Sequence, residues 1–119
     1  MDLSIFGQTK NPHFRLKTMA HNIKPGVATG DEVQAIFNHA KANGYAIPAV
    51  NVIGSNTING VLEAARDLNS PVIIQFSNSG GQFNAGKGLS NADQKAAIAG
   101  SIAGAKHVHT LAEAYGATV

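Results

Sequence analysis

Apolar residues recur at helical spacing in three segments of the chain. The first segment carries them at positions i, i+3, i+4 and i+7, namely Val33, Ile36, Phe37 and Ala40. This spacing predicts one apolar stripe on a helix. Thr29 and Glu32 have the spacing of a capping box, with Thr29 as N-cap and Glu32 at N3. Gly44 is predicted to end the helix, because glycine adopts a left-handed conformation without penalty.

Two further helices are predicted downstream. The second follows the tetrapeptide GSNT and ends at the sequence Asn-Ser-Pro, positions 69–71, with apolar residues at Ile58, Val61, Leu62, Ala65 and Leu68. The third is long and alanine-rich, from about Ala92 to Tyr115, and Gly116 is predicted to close it. Between these two helices the polar, glycine-rich stretch from Ser77 to about Ser90 predicts a loop.

Short apolar runs lie between the predicted helices. AIPAVNV, residues 46–52, and PVIIQF, residues 71–76, show little alternation and predict strands buried on both faces. The final ATV, residues 117–119, is interpreted as the first residues of a third strand. Strands separated by helices predict βαβ units on a parallel sheet. Both an open doubly wound sheet and a closed (β/α)8 barrel fit this order, and both place function at the carboxyl ends of the strands.

Composition limits the classes of function. The chain has 119 residues, of which 44% are hydrophobic and 13% charged, with a net charge of +2 and no cysteine. The charge is too small to indicate nucleic-acid binding, and disulfides or cysteine-based zinc sites are excluded. No apolar run approaches the roughly 18 residues that span a membrane. Residues 1–22 lack the apolar core of a secretory signal and are predicted to be a disordered extension, with a transit peptide as the alternative.

The stretch SGGQFNAGKG, residues 79–88, has the spacing of a phosphate-binding loop with Gly81, Gly86 and Lys87. Such a loop requires Ser or Thr after the lysine, whereas Gly88 stands there. A nucleotide-binding site is therefore the least favoured interpretation of this stretch. The hydroxyl, amide and ammonium groups of this stretch instead suit a phosphorylated polyol, and a plain connecting loop is the alternative.

Three polar side chains stand at or just beyond the carboxyl ends of the predicted strands. Asn51 and Gln75 end the two strands, and Ser77 is the first residue beyond the second strand. An unpaired amide inside a buried strand costs a few kcal/mol, so a neighbouring strand or a ligand is expected to satisfy Asn51. The three side chains are expected to converge if the strands are neighbours. His107 and His109 point about 200° apart on a helix, so they are interpreted as surface or hydrogen-bonded residues, not as metal ligands.

At these residues the sequence resembles a known family. Five motifs look like the opening of class II, metal-dependent fructose-1,6-bisphosphate aldolases. They are KPGV (residues 24–27), PAVN (48–51), QFSN (75–78), AGKG (85–88) and KHVHTLAEAYGATV (106–119). The resemblance covers residues 23–119. It favours the subgroup of bacterial and fungal glycolytic enzymes over the tagatose-bisphosphate subgroup.

The resemblance implies a fold, a reaction and a set of binding residues. The fold would be the amino-terminal part of a (β/α)8 barrel: a leading helix, two βα units and the start of a third strand. The reaction would be reversible, zinc-dependent cleavage of fructose 1,6-bisphosphate to dihydroxyacetone phosphate and glyceraldehyde 3-phosphate by a cytoplasmic homodimer. The family's substrate-binding serine falls on Ser77 and its strand-one asparagine on Asn51. Gln75 lies at the same mouth.

The resemblance also implies that the reactive groups lie elsewhere. In the family, a motif like HTDH holds the catalytic aspartate and the first zinc histidine, and it would follow Val119. No catalytic residue and no metal ligand is therefore expected in this chain, which is predicted to be an inactive piece of a longer enzyme. The alternatives are a complete small α/β domain or a non-enzymatic chain that associates with full-length aldolase or with itself.

Overall fold

The computed structural model describes residues 23–119, so the extension predicted for residues 1–22 lies outside the described residues. In chain order the elements are helix α1 (Asp31–Asn43), strand β1 (Ala49–Asn51), helix α2 (Ser55–Leu68), strand β2 (Ile73–Gln75), helix α3 (Asn78–Ala85), a 3-10 turn (Ala92–Gln94) and helix α4 (Lys95–Tyr115). The described residues are thus α/β with parallel strands. No helix among them is long and apolar enough to cross a bilayer.

Helix α1 ends as predicted but begins differently. Gly44 adopts a left-handed conformation with φ 68°, and its N–H bonds the carbonyl oxygens of Ala40 and Lys41. The start lies at Asp31, after Gly30, and has no side-chain cap. The predicted capping box is therefore only half present, since the Glu32 carboxylate accepts a 3.4 Å bond from the N–H of Thr29. The Thr29 residue is one position too early to be the N-cap.

Helix α2 carries the centre of the core. Its Ile58, Leu62 and Ala65 are buried, as their helical spacing predicts. The Thr57 hydroxyl closes the first turn by accepting the N–H of Gly54 at 3.2 Å and donating to the carbonyl of the same residue at 2.8 Å. These side chains pack against buried residues from both strand regions, from α4 and from the segment after α4, namely Val52, Val72, Val108, Ala112 and Ala117.

Strands β1 and β2 are parallel neighbours, as the βαβ pattern predicts. Their register pairs Ala49 with Ile73, Val50 with Ile74 and Asn51 with Gln75. Burial on both faces is the part of the prediction that is wrong. Val50 and Ile74 pack against the core, whereas the four residues that alternate with them are exposed. Helices cover only one face of this sheet among the described residues, so the alternating side chains on the other face meet solvent.

The last residues of the chain are extended. Thr118 forms a parallel bridge with Gly26, and its carbonyl accepts a 3.2 Å bond from the N–H of Val72. The predicted start of a third strand is therefore present as an isolated bridge beside the residue that precedes β2.

Helix α3 replaces the predicted loop over residues 78–85. The polar, glycine-rich composition is unfavourable for an isolated helix, and each helical glycine costs about 1 kcal/mol relative to alanine. Tertiary contact offsets this cost, because α3 lies directly on α4. A Cβ atom on Gly100 would lie 2.7 Å from the Ala85 nitrogen, and it would collide with the carbonyl oxygen of Gly81. Gly81 on α3 is required in the same way, because a Cβ atom there would lie 2.5 Å from the Ala97 carbonyl oxygen on α4. A glycine that contributes to the loop-like composition of the stretch thus permits this contact.

Candidate functional site

Asn51 and Gln75 lie side by side at the carboxyl edge of the sheet. They are register partners on adjacent parallel strands, about 4.8 Å apart across the ladder. Both side chains point to the exposed face. The expectation that Asn51 is a buried amide is therefore wrong, because the face it occupies is open to solvent. The expected convergence at the strand ends does not depend on burial, and the register places the two residues together.

Ser77 stands at the junction of β2 and α3. It lies two positions beyond Gln75, so the alternation of an extended chain directs both side chains to the same face. Its backbone is extended, with φ −72° and ψ 161°, and it is the N-cap of α3. The Ser77 hydroxyl accepts the N–H of Gly80 at 3.0 Å and lies 3.4 Å from the hydroxyl of Ser79. Sequence reasoning placed Ser77 at the strand end but missed this capping role, because α3 was interpreted as a loop.

The start of α3 adds hydrogen-bond donors to the site. The first N–H groups of a helix have no partner within the helix, and the helix dipole makes this end electropositive. Here those groups belong to Asn78 and Ser79, immediately after Ser77. A hydroxyl beside free backbone N–H groups at a helix start is a favourable arrangement for a phosphate.

Polar links tie α3 to α4 and to the segment before it. The Asn78 side-chain amide donates to the Gln94 side-chain oxygen at 2.6 Å, and the Asn84 amide donates to the carbonyl of Gly100 at 2.8 Å. Asn91 adds a third link, since its side-chain amide donates to the Gln82 side-chain oxygen on α3 at 3.4 Å and its side-chain oxygen accepts the N–H of Ala97 on α4 at 3.0 Å. Periodicity along the chain does not indicate these contacts, because they join residues that belong to different elements.

Lys87 does not lie where a nucleotide-binding lysine would. It follows Gly86, the residue that ends α3, whereas the phosphate-loop lysine precedes a helix. Its ammonium group lies 5.6 Å from the centre of the Phe83 ring, in a cation–π contact. The geometry therefore argues against the nucleotide reading.

The two histidines of α4 separate as expected from their spacing. The Nε2 atom of His107 lies 2.8 Å from the side-chain oxygen of Asn59 on α2, so this histidine links two helices. His109 is exposed. Within residues 23–119 no group of three or more His, Cys, Asp or Glu side chains could hold a metal ion.

The site can bind and orient a ligand through neutral groups. Asn51, Gln75 and Ser77 offer amide and hydroxyl donors and acceptors and carry no ionisable group. They can hydrogen-bond hydroxyl, carbonyl and phosphate oxygens. They cannot act as a general acid or base near neutral pH.

Comparison with known proteins gives consistent matches. The family model for "Fructose-bisphosphate aldolase class-II" matches residues 31–119. A fructose-bisphosphate aldolase of Campylobacter jejuni subsp. jejuni is 58% identical over 97 residues, which is 82% of this chain and 26% of that protein. Fructose-bisphosphate aldolase class 2 of Escherichia coli (strain K12) is 56% identical over 98 residues, which is 82% of this chain and 27% of that protein.

A solved structure agrees with these sequence matches. The crystal structure of fructose-bisphosphate aldolase from Campylobacter jejuni superposes with a TM-score of 0.74 at 58% identity, and the match covers 82% of this chain and 27% of that one. The chain therefore spans about a quarter of the length of the relatives it matches.

Proposed function

The chain belongs to the class II fructose-bisphosphate aldolase family, and from this membership we propose that it forms one wall of a sugar-bisphosphate site. The reaction would be the reversible cleavage of fructose 1,6-bisphosphate to dihydroxyacetone phosphate and glyceraldehyde 3-phosphate. Its strands β1 and β2 would be the first two of a (β/α)8 barrel. The match to a solved aldolase over most of the chain supports this proposal.

The observation that carries the proposal is the pairing at the strand ends. Asn51 and Gln75 are register partners. Ser77 follows two residues after Gln75 in extended backbone, and alternation along an extended chain directs it toward the same face. We assign the two amides to hydroxyl or carbonyl oxygens of the sugar. We assign the Ser77 hydroxyl, with the first N–H groups of α3, to a phosphate oxygen. The three residues would bind and orient substrate, and proton transfer is assigned to none of them.

Zinc, the homodimer and a cytoplasmic location remain proposals at the level of the family. The described residues offer no set of metal ligands, so the residues present do not fit a zinc ion. No step of the reaction is assigned to zinc in this chain. We also propose that the 119-residue chain does not cleave fructose 1,6-bisphosphate by itself, even with added zinc, because the family's reactive groups are assigned to a motif that this chain does not contain.

A hybrid enzyme tests the proposal. In it, the matching 97 residues of the Campylobacter jejuni aldolase are replaced by those of this chain, which are 58% identical. We expect the hybrid to fold and to cleave fructose 1,6-bisphosphate. A hybrid that fails to fold would contradict the structural equivalence. A hybrid that melts cooperatively but does not cleave fructose 1,6-bisphosphate would contradict the functional equivalence of the two segments.

Ser77→Ala in the hybrid tests the binding role. Losing a hydrogen bond to a charged oxygen costs about 1.5–3 kcal/mol, which corresponds to about a tenfold to hundredfold loss of kcat/KM. Ser90→Ala is the matched control, because the Ser90 hydroxyl also accepts a backbone N–H, that of Ala92 at 3.3 Å, but does not follow a strand. Equal kcat/KM values in the two variants would overturn the assignment of Ser77.

A further inference from the structure

Two residues just before α4 have an unusual backbone conformation. Asp93 and Gln94 are consecutive and have φ values of 54° and 60°. Left-handed conformations are uncommon for residues other than glycine, and glutamine is not among the types enriched there. Among the described residues, Asn69 is the only other non-glycine residue with a positive φ, and it ends a helix. Asp93 and Gln94 instead lie in the 3-10 turn directly before α4 and not at the end of an α-helix, so the surrounding structure must hold them in this form.

Gln94 is held through its backbone and through its side chain. Its backbone N–H donates to the carbonyl of Asn91 at 3.0 Å, and Lys95, which follows it, is the first residue of the 21-residue helix α4. Its side-chain oxygen accepts the 2.6 Å bond from the side-chain amide of Asn78. Asn78 is the first residue of α3 and adjoins Ser77. Gln94 therefore connects the long helix to the end of α3 that faces the strand ends.

We propose that Gln94 is a positioning residue that holds the start of α3, and with it the Ser77 hydroxyl, in its binding orientation. This inference rests on the proposed binding role of Ser77. Helix α3 has eight residues, and a helix so short is marginal without tertiary contacts. The Asn84 link to Gly100 fixes the opposite half of α3. The Gln94 link fixes the first turn, which is the part that would meet substrate.

The hybrid enzyme allows the role of Gln94 to be measured with Gln94→Gly. Glycine accepts the left-handed backbone without strain, so the variant is expected to melt at or above the temperature of the parent. It lacks the acceptor for Asn78. We expect KM for fructose 1,6-bisphosphate to rise about fivefold, as the loss of one hydrogen bond implies, with kcat within about twofold of the parent.

Three comparisons separate positioning from general damage. Gln34→Ala is the matched control, because the Gln34 amide donates to Asn38 at 3.1 Å on α1, an equivalent exposed glutamine–asparagine pair. It should leave KM unchanged. In a Ser77→Ala background, Gln94→Gly should have no further effect on KM, because the residue through which it acts is already lost. Hydrogen exchange by mass spectrometry should show faster exchange in the first turn of α3 and unchanged exchange in α4.

The outcomes discriminate between the two proposals. If Gln94→Gly leaves KM and the first-turn exchange unchanged, the positioning role is overturned. If the effects of Gln94→Gly and Ser77→Ala on KM simply multiply, Gln94 does not act through Ser77 and the inference is likewise wrong. If Ser77→Ala itself leaves KM unchanged, the proposed binding function fails. Faster exchange in the first turn would then still support the tether between Gln94 and α3.

Discussion

Gly100→Ala is predicted to destabilise the 119-residue chain even though alanine is the better helix former. The new Cβ atom would lie 2.7 Å from the Ala85 nitrogen and 2.8 Å from the Gly81 carbonyl carbon, and still closer to the oxygen of that carbonyl. Ordinary contacts begin at 3.4 Å. The atoms it meets are backbone, so no side chain can rotate away. Helix α3 would have to move by more than about 0.7 Å, which is the gap between 2.7 and 3.4 Å, because the Gly81 carbonyl oxygen is closer still than the Ala85 nitrogen.

The expected loss of stability follows from two unfavourable terms and one favourable term. Overpacking of this kind costs about 1–3 kcal/mol, and displacement of α3 also strains the 2.8 Å bond from Asn84 to the carbonyl of Gly100, worth about 1 kcal/mol. Alanine returns up to about 1 kcal/mol through its helix propensity. The net expectation is a loss of about 1–3 kcal/mol in the free energy of unfolding.

Gly60→Ala provides the matched control on α2. A Cβ atom there would meet nothing within 4 Å, so the same substitution should stabilise the chain by about 0.5–1 kcal/mol. Urea unfolding followed by circular dichroism at 222 nm measures both variants. A Gly100→Ala chain as stable as the parent would refute the close contact between α3 and α4. Equal losses in both variants would show that the cost does not arise from that contact.

Three further predictions concern the core, the pH dependence and the lysine after α3. Leu62→Ala removes a side chain with 0% exposure and should lower the free energy of unfolding in urea by about 2–5 kcal/mol. The control Leu68→Ala, at 56% exposure on the same helix, should lower it by less than about 1 kcal/mol. Equal losses of stability in the two variants would contradict the assignment of Leu62 to the core. Burial raises the pKa of the Tyr45 phenol above its ordinary value of 10.0, so the folded state holds this proton more tightly than the unfolded state. Stability should therefore fall as pH rises above 10.0, and Tyr45→Phe should reduce that slope; an unchanged slope would be inconsistent with the shift. Magnesium-ATP should leave the melting temperature unchanged, because Lys87 follows a helix instead of preceding one, whereas an increase that Lys87→Ala abolishes would revive a nucleotide site.

Periodicity predicted the elements whose stability comes from apolar burial. Helix α2 was visible because Ile58 and Leu62 repeat at helical spacing and are buried as that spacing requires. Helix α4 was visible through its length and through Gly116, which ends it with φ 73°. The βαβ order predicted parallel strands, and β1 and β2 are parallel neighbours. In each case one local pattern and one tertiary requirement favour the same structure.

The incorrect predictions concern regions where tertiary contacts override local conformational preference. Helix α3 has two adjacent glycines, Gly80 and Gly81, and both are buried. Their low helix propensity predicted a loop, yet α4 can pack closely only because Gly81 lacks a side chain, since a Cβ atom there would lie 2.5 Å from the Ala97 carbonyl oxygen. The strands were predicted to be buried on both faces because a continuous apolar run does not show how many faces a neighbour covers. The tethering role of Gln94 could not be predicted from the sequence, because its hydrogen-bond partner, Asn78, is 16 residues away and on another element.

The close packing and the candidate site depend on the same contact. Glycine at position 100 lets α3 approach α4 closely enough for Asn84 to reach the carbonyl of residue 100. The same placement of α3 brings Asn78 within 2.6 Å of Gln94, at the end of α3 that Ser77 caps. A residue larger than glycine at position 100 would therefore move the first turn of α3 as well as destabilise the fold. In the hybrid enzyme, Gly100→Ala should raise KM in the parent and add little to Gln94→Gly, because both changes act on the position of that turn. An equal rise of KM in both backgrounds would show that the packing of α3 and the tether at Gln94 act on substrate binding independently.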